Sequence, residues 1–152
     1  MKRHPAFIAL SQEHHDGLLL ATRLQQGTNA LLRLWSHDLY WQAEFVVKFF
    51  DENLRQHFSV EEEIVFFGAG QYLPEHSGMI QKLIDQHNTM RSITESLRFP
   101  LEEKLQTLLI QFGKILEQHI RTEEREFFPL CEAHIPEEQI RAMGKRIDEL
   151  LK

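Results

Sequence analysis

Two segments, HFSVEEEIVF at residues 57–66 and HIRTEEREFF at residues 119–128, carry one pattern in register. Each reads His, an apolar residue, two variable positions, Glu-Glu, two more variable positions, an apolar residue and Phe. On a helix, positions i and i+4 lie one turn apart on the same face. His57 with Glu61, and His119 with Glu123, therefore each aim an imidazole and a carboxylate at one point. That pairing is a donor set for a metal cation. Random placement of nine histidines and 18 glutamates in 152 residues gives about one His-x-x-x-Glu pair, and the chain has three. The third, His134 with Glu138, spans Pro136 and lacks the apolar frame, so it reads as incidental.

Two more histidines interrupt apolar stripes: His14 between Leu10 and Leu18, and His87 between Leu83 and Met90. A lone histidine on such a face is more often a hydrogen-bonded core residue than a ligand. Four of them, two with a glutamate one turn on, are hard to explain as independent accidents. Burying four imidazoles and two carboxylates is costly without compensating charge, and a pair of cations supplies it. His14 is followed by His15, and neighbouring helical residues point about 100° apart, so one of the two faces inward. His14 continues the stripe Phe7, Leu10, Gly17, Ala21, Leu24 and is preferred; His15 falls with Ser11, Leu18, Thr22 and Gln25 and is the alternative ligand or an outer group.

The elements that must position these residues are helices. A first helix runs from Phe7 to a stop at Gly27, followed by the apolar connector TNALLRLW. Ser36 is the expected N-cap of a long second helix, with Asp38 in its first turn, ending near Gly68-Ala69-Gly70. The loop QYLPEHSG leads to a third helix from about Met79 to Leu97. Pro100 suits the first position of a fourth, which carries Glu102 and Glu103 in its first turn and runs to about Cys131. A short amphipathic helix follows over about 136–151, through Ile140, Met143, Ile147 and Leu150. The expectation is an all-α single domain over 1–152: an antiparallel up-down-up-down four-helix bundle over about 5–131, with an added C-terminal helix.

One His on the first helix, HxxxE on the second, one His on the third and HxxxE on the fourth resembles the hemerythrin-like (HHE cation-binding) family, over about residues 5–131. The resemblance implies a non-haem di-iron centre held by His14, His57, Glu61, His87, His119 and Glu123. The two glutamates would bridge the irons alongside an oxo or hydroxo group. His/carboxylate sites also suit other divalent metals such as manganese and zinc. The order HxxxE sets the chain apart from ferritin-like proteins, whose Glu-x-x-His motif it lacks. Oxygen-carrying members have a second histidine one turn along the third helix. Here Leu83 and Arg91 flank His87, which leaves open coordination positions and favours reactivity or exchange over reversible storage. His15, Glu62 or Glu124 are candidates to fill one of them. Gly17, beside His14 on the inward stripe, is expected to leave room for a small ligand.

The implied function is binding or sensing of O2, NO or a related small oxidant. The alternatives are a di-iron enzyme acting on peroxide or NO or repairing iron centres, and a metal-free interaction bundle. The sequence offers no dedicated acid, base or cysteine pair near the motifs for the enzymatic reading. In the bundle reading the terminal helix is where a partner or a second copy of the chain would dock.

Bland roles are expected elsewhere. Glu62, Glu63, Glu124 and Glu126 read as solvated charges, while Glu13 and Asp16 are candidates to accept the free N–H of a ligand histidine. Phe58, Phe66, Phe67, Phe127 and Phe128 read as packing, and His4, His37 and His76 as exposed. A net charge of −6 argues against a nucleic-acid surface, and no apolar run reaches the length of a membrane span. The apolar part of MKRHPAFIALSQEHH is too short for a signal-peptide core. A single cysteine, Cys131, excludes an intramolecular disulfide and reads as buried; a cytoplasmic location follows as the default.

Overall fold

The computed structural model describes residues 2–26 and 35–151. The expected stop at Gly27 and most of the connector after it lie outside the described residues. Within them the chain is helical without a strand: four long helical runs and a shorter fifth, consistent with a bundle.

Helix α1 spans Ile8–Gln26 and is entered through a 3₁₀ turn, Pro5–Phe7. Its buried positions, Leu10, His14, Gly17, Leu20, Ala21 and Leu24, form the stripe expected from spacing. Helix α2 is one run composed of Leu39–Phe49, Phe50–Leu54, Arg55–Val60, Glu61–Phe66 and Phe67–Gly70. Asp38, not Ser36, caps it: the Asp38 carboxylate accepts from Tyr40 N and Trp41 N. The Ser36 hydroxyl instead accepts from Asp38 N, one step outside the helix. Helix α3 is Ser77–Arg98. Helix α4 joins Glu102–Thr122, Glu123–Phe127 and Phe128–His134. Its N-cap is Leu101, so Pro100 stands outside the first turn, and the run continues past Cys131. Helix α5 is Glu137–Leu151.

Three pieces are wide π-helical turns: Phe50–Leu54, Glu61–Phe66 and Glu123–Phe127. In the third, the Phe128 N–H reaches back five residues to the Glu123 carbonyl. Pro129 follows at once, and its missing N–H and its ring disturb the regular ladder at that point. Two of the three π-turns start at the glutamates of the repeat, and such turns recur at functional sites because they re-aim the side chains that follow. Here the turn at Glu61–Phe66 buries Ile64, Val65 and Phe66 together while Glu63 and Phe67 face solvent. Phe67, expected in the packing, is 70% exposed.

Helix α1 packs mainly along α4, α4 against α3, and α3 against the first part of α2. The apolar core falls into two clusters. One holds Leu20, Leu24, Val46, Phe50, Phe112 and Leu116; the other holds Phe7, Leu10, Ile64, Phe66, Leu83 and Phe128. Helix α5 closes over the second cluster with Ile140, Met143 and Ile147. Each fully buried Leu, Ile or Phe stabilises the fold by about 1.5–3 kcal/mol. These two apolar clusters are the scaffold on which the polar residues between them are held.

Candidate metal centre

Six of the eight buried polar side chains among the described residues are His14, His57, Glu61, His87, His119 and Glu123, each at most 4% exposed. One imidazole comes from each of α1 to α4, and the carboxylates come from α2 and α4. The His14 and His57 Nε2 atoms are 3.1 Å apart, and those of His87 and His119 are 2.9 Å apart. Glu61 lies between the two pairs. Its Oε2 is 3.3 Å from His57 Nε2 and 3.8 Å from His14 Nε2; its Oε1 is 2.9 Å from His87 Nε2 and 3.5 Å from His119 Nε2. Glu123 Oε1 spans them from the other side, 3.1 Å from His14 Nε2 and 3.3 Å from His119 Nε2.

The opposite edge of each imidazole is tied down. His14 Nδ1 meets Glu124 Oε2 at 2.6 Å, His57 Nδ1 meets Glu13 Oε1 at 2.8 Å, His87 Nδ1 meets Glu62 Oε2 at 2.6 Å and His119 Nδ1 meets Gln86 Oε1 at 2.9 Å. All four partners are acceptors, so each Nδ1 carries the hydrogen and donates it. In the neutral ring this leaves the Nε2 lone pair facing inward, the tautomer a metal requires.

These partners extend the internal duplication. In each half, the residue before the lone histidine (Glu13, Gln86) holds the histidine of the repeat (His57, His119). The second glutamate of Glu-Glu holds the lone histidine: Glu124 holds His14 and Glu62 holds His87. Glu62 and Glu124 are therefore not the solvated charges expected of them; they are the outer anchors of the rings, and neither belongs to the two inward donor groups. The signal was the doubled glutamate in both copies of the repeat. Gln86 had no signal, because an amide beside a histidine has no distinctive pattern. Glu13 takes the outer role expected, while Asp16 is exposed and forms no such bond among the described contacts.

His15 is exposed and outside the cluster, which leaves His14 as the inward member of the pair. Gly17 does not leave an open space: a Cβ there would come within 2.8 Å of Ile120 Cδ1, so the glycine makes room for that side chain. The phenylalanines wall the site. Phe58 stacks on His87 at 3.8 Å between ring centres, Phe66 lies tilted to His87 at 5.5 Å, and Phe128 stacks on His14 at 5.9 Å. His4 is partly buried rather than exposed; its Nδ1 accepts from Ala6 N and its Nε2 contacts Glu137 at the start of α5.

Two carboxylates inside an apolar shell must find positive charge. Burial, the largest effect, pushes the Glu61 carboxyl up, but His57, His119 and His14 outweigh it and hold it well below the usual range. Burial likewise pushes His57 down, yet Glu61 and Glu13 raise it to about 8. His119, also opposed by burial, is lifted by Glu123 and Glu61 to about 9. Without a cation, then, His14, His57 and His119 favour their protonated forms. Even so, Glu61 Oε2 and both oxygens of Glu123 are buried and lack a hydrogen-bond partner among the described residues.

That deficit is what a metal would fill. The donors fall into two groups whose ligand atoms lie within 4.8 Å of one another: His14, His57, Glu61 and Glu123, and then Glu61, His87 and His119. Two ligands at right angles on one ion, each about 2.1 Å from it, stand about 3 Å apart, which is the spacing within each histidine pair. Each group could hold a metal ion, and Glu61 belongs to both.

Neither a curated protein nor a solved structure matches the chain. The model of the hemerythrin HHE cation-binding domain, a family whose members bind metal, matches residues 6–131, a stretch that contains all four histidines, both glutamates and their four outer partners. The chain belongs to the hemerythrin HHE cation-binding domain family.

Proposed function

We propose that the protein is a non-haem di-iron module that binds or senses O2, NO or a related small oxidant. His14, His57, Glu61 and Glu123 would hold one iron, and Glu61, His87 and His119 the other, within an up-down-up-down bundle. The observation that carries this reading is the inward convergence of four Nε2 atoms, fixed by four Nδ1–H bonds, on two buried carboxylates, three of whose four oxygens lack a hydrogen-bond partner among the described residues. Bound iron would supply redox change and an exchangeable coordination position. The chain's own residues do the rest. Glu13, Glu62, Glu124 and Gln86 orient the imidazoles, and the carboxylates offset the cationic charge. Phe58, Phe66 and Phe128 exclude bulk water.

No second histidine is available from α3: Arg91 occupies the position one turn along and pairs with Glu62 at 2.8 Å.

The test is metal analysis and an optical spectrum of protein purified from iron-replete cells. The expected result is about two irons per chain, with absorption lost in His57→Ala and Glu123→Ala. A folded protein that takes up no iron would overturn the reading. Exposure of the ferrous form to O2, NO and peroxide then separates roles: a stable adduct supports binding or sensing, and repeated turnover of peroxide would make the protein an enzyme.

A further inference from the structure

The outer partners of the four imidazoles occupy matching positions in the two halves and differ in charge at one pair. His14 and His87 are each held by a carboxylate that also faces an arginine: Glu124 has Arg3 at 3.4 Å, and Glu62 has Arg91 at 2.8 Å. The other two histidines differ. His57 donates to the carboxylate of Glu13, whose only described ion-pair partner is His57 itself. His119 donates to the neutral amide oxygen of Gln86. One half of the site thus carries one more negative charge in its outer ring than the other. An anionic acceptor on Nδ1–H increases electron donation from Nε2, and loss of such a partner typically weakens metal binding about 10–100-fold.

We infer that the Glu13/Gln86 difference makes the two metal positions unequal, so that a divalent cation binds more tightly at His14/His57 than at His87/His119. The inference rests on the two-metal reading above. It assigns Glu13 and Gln86 as positioning residues that set the order of loading and leave the weaker, more exchangeable position at His87/His119. Replacing Gln86 by glutamate would supply the missing charge, and replacing Glu13 by glutamine would remove the extra one. Both side chains are partly exposed, and each exchange keeps shape and the acceptor oxygen.

The experiment is a titration of metal-free protein with Co2+, read by its visible absorption, on the wild type, Glu13→Gln and Gln86→Glu. Far-UV circular dichroism checks that each variant is folded. Two unequal steps alone would also follow from repulsion between neighbouring cations, so the deciding result is which step each variant moves. Glu13→Gln is expected to weaken the tight step by about 10–100-fold, and Gln86→Glu to tighten the weak step by a similar factor, narrowing the gap. The inference is overturned if Glu13→Gln moves the weak step, or if both variants titrate like the wild type while still binding two cobalt ions. In that case the two-metal reading stands. A folded wild type that binds neither cobalt nor iron overturns both.

Discussion

At the scale of single residues, the site is governed by what occupies the inward lone pairs. Glu61 approaches all four imidazoles, whereas His87 belongs to one donor group only. Glu61→Ala is therefore expected to weaken metal retention at both positions and His87→Ala at one, measured as metal per chain after dialysis. Metal-free protein should depend on pH through the same groups. His57 and His119 have folded values of about 8 and about 9, above the unfolded value of about 6.5. Their stabilisation is fully present below about pH 6.5 and is lost as pH rises through those folded values. Glu61, held below its unfolded value, acts the other way and loses its contribution as acid protonates it. Denaturant midpoints in the presence of chelator should fall between about pH 6.5 and 9; a flat or rising profile would contradict the protonated pairing. Metal binding displaces these protons, so apparent affinity should increase over the same interval.

At the scale of elements, the ends of helices and their close approaches decide which segments hold the site. Asp38 accepts two backbone N–H groups at the start of α2, and Asp38→Ala is expected to cost about 1 kcal/mol by thermal or chemical denaturation. Helix α5 lies outside the family match, yet it is tied to the site's surroundings. A Cβ at Gly144 would meet Ala6 Cα at 2.7 Å, and Ala6 precedes Phe7, which stacks on Phe128, which stacks on His14. Backbone cannot yield there as a flexible side chain would, so Gly144→Ala should destabilise the protein by about 1–3 kcal/mol. Limited proteolysis should then cut first around α5. Boundaries were less legible than the helices themselves. Asp38 took the cap from Ser36 because its carboxylate reaches N–H groups two and three residues ahead. Pro100 fell outside α4, and the π-turns left no trace in the 3-4 spacing, because one extra residue per turn hardly alters a pattern already rich in apolar side chains.

At the scale of the whole molecule, two apolar clusters flank a polar layer that is underpaired without a cation. A ligand that binds only the folded state stabilises it by about 2.7 kcal/mol at a concentration 100 times its dissociation constant. Chelation is therefore expected to lower the melting temperature by several degrees for a chain of this size, read by calorimetry with and without metal. No described helix is long and apolar enough to cross a membrane. The sequence by itself determined the helices, the inward stripes and five of the six residues that meet in the centre, because helical periodicity converts spacing directly into facing. It left His14 and His15 open, and it misread Glu62, Glu124 and Gly17. Those depended on what stands opposite each residue on another helix: Glu124 across from His14, Glu62 across from His87, and Ile120 filling the gap at Gly17. Spacing along one chain fixes which way a side chain points. What it touches there is set by the packing of the other helices, and only the tertiary structure decided that.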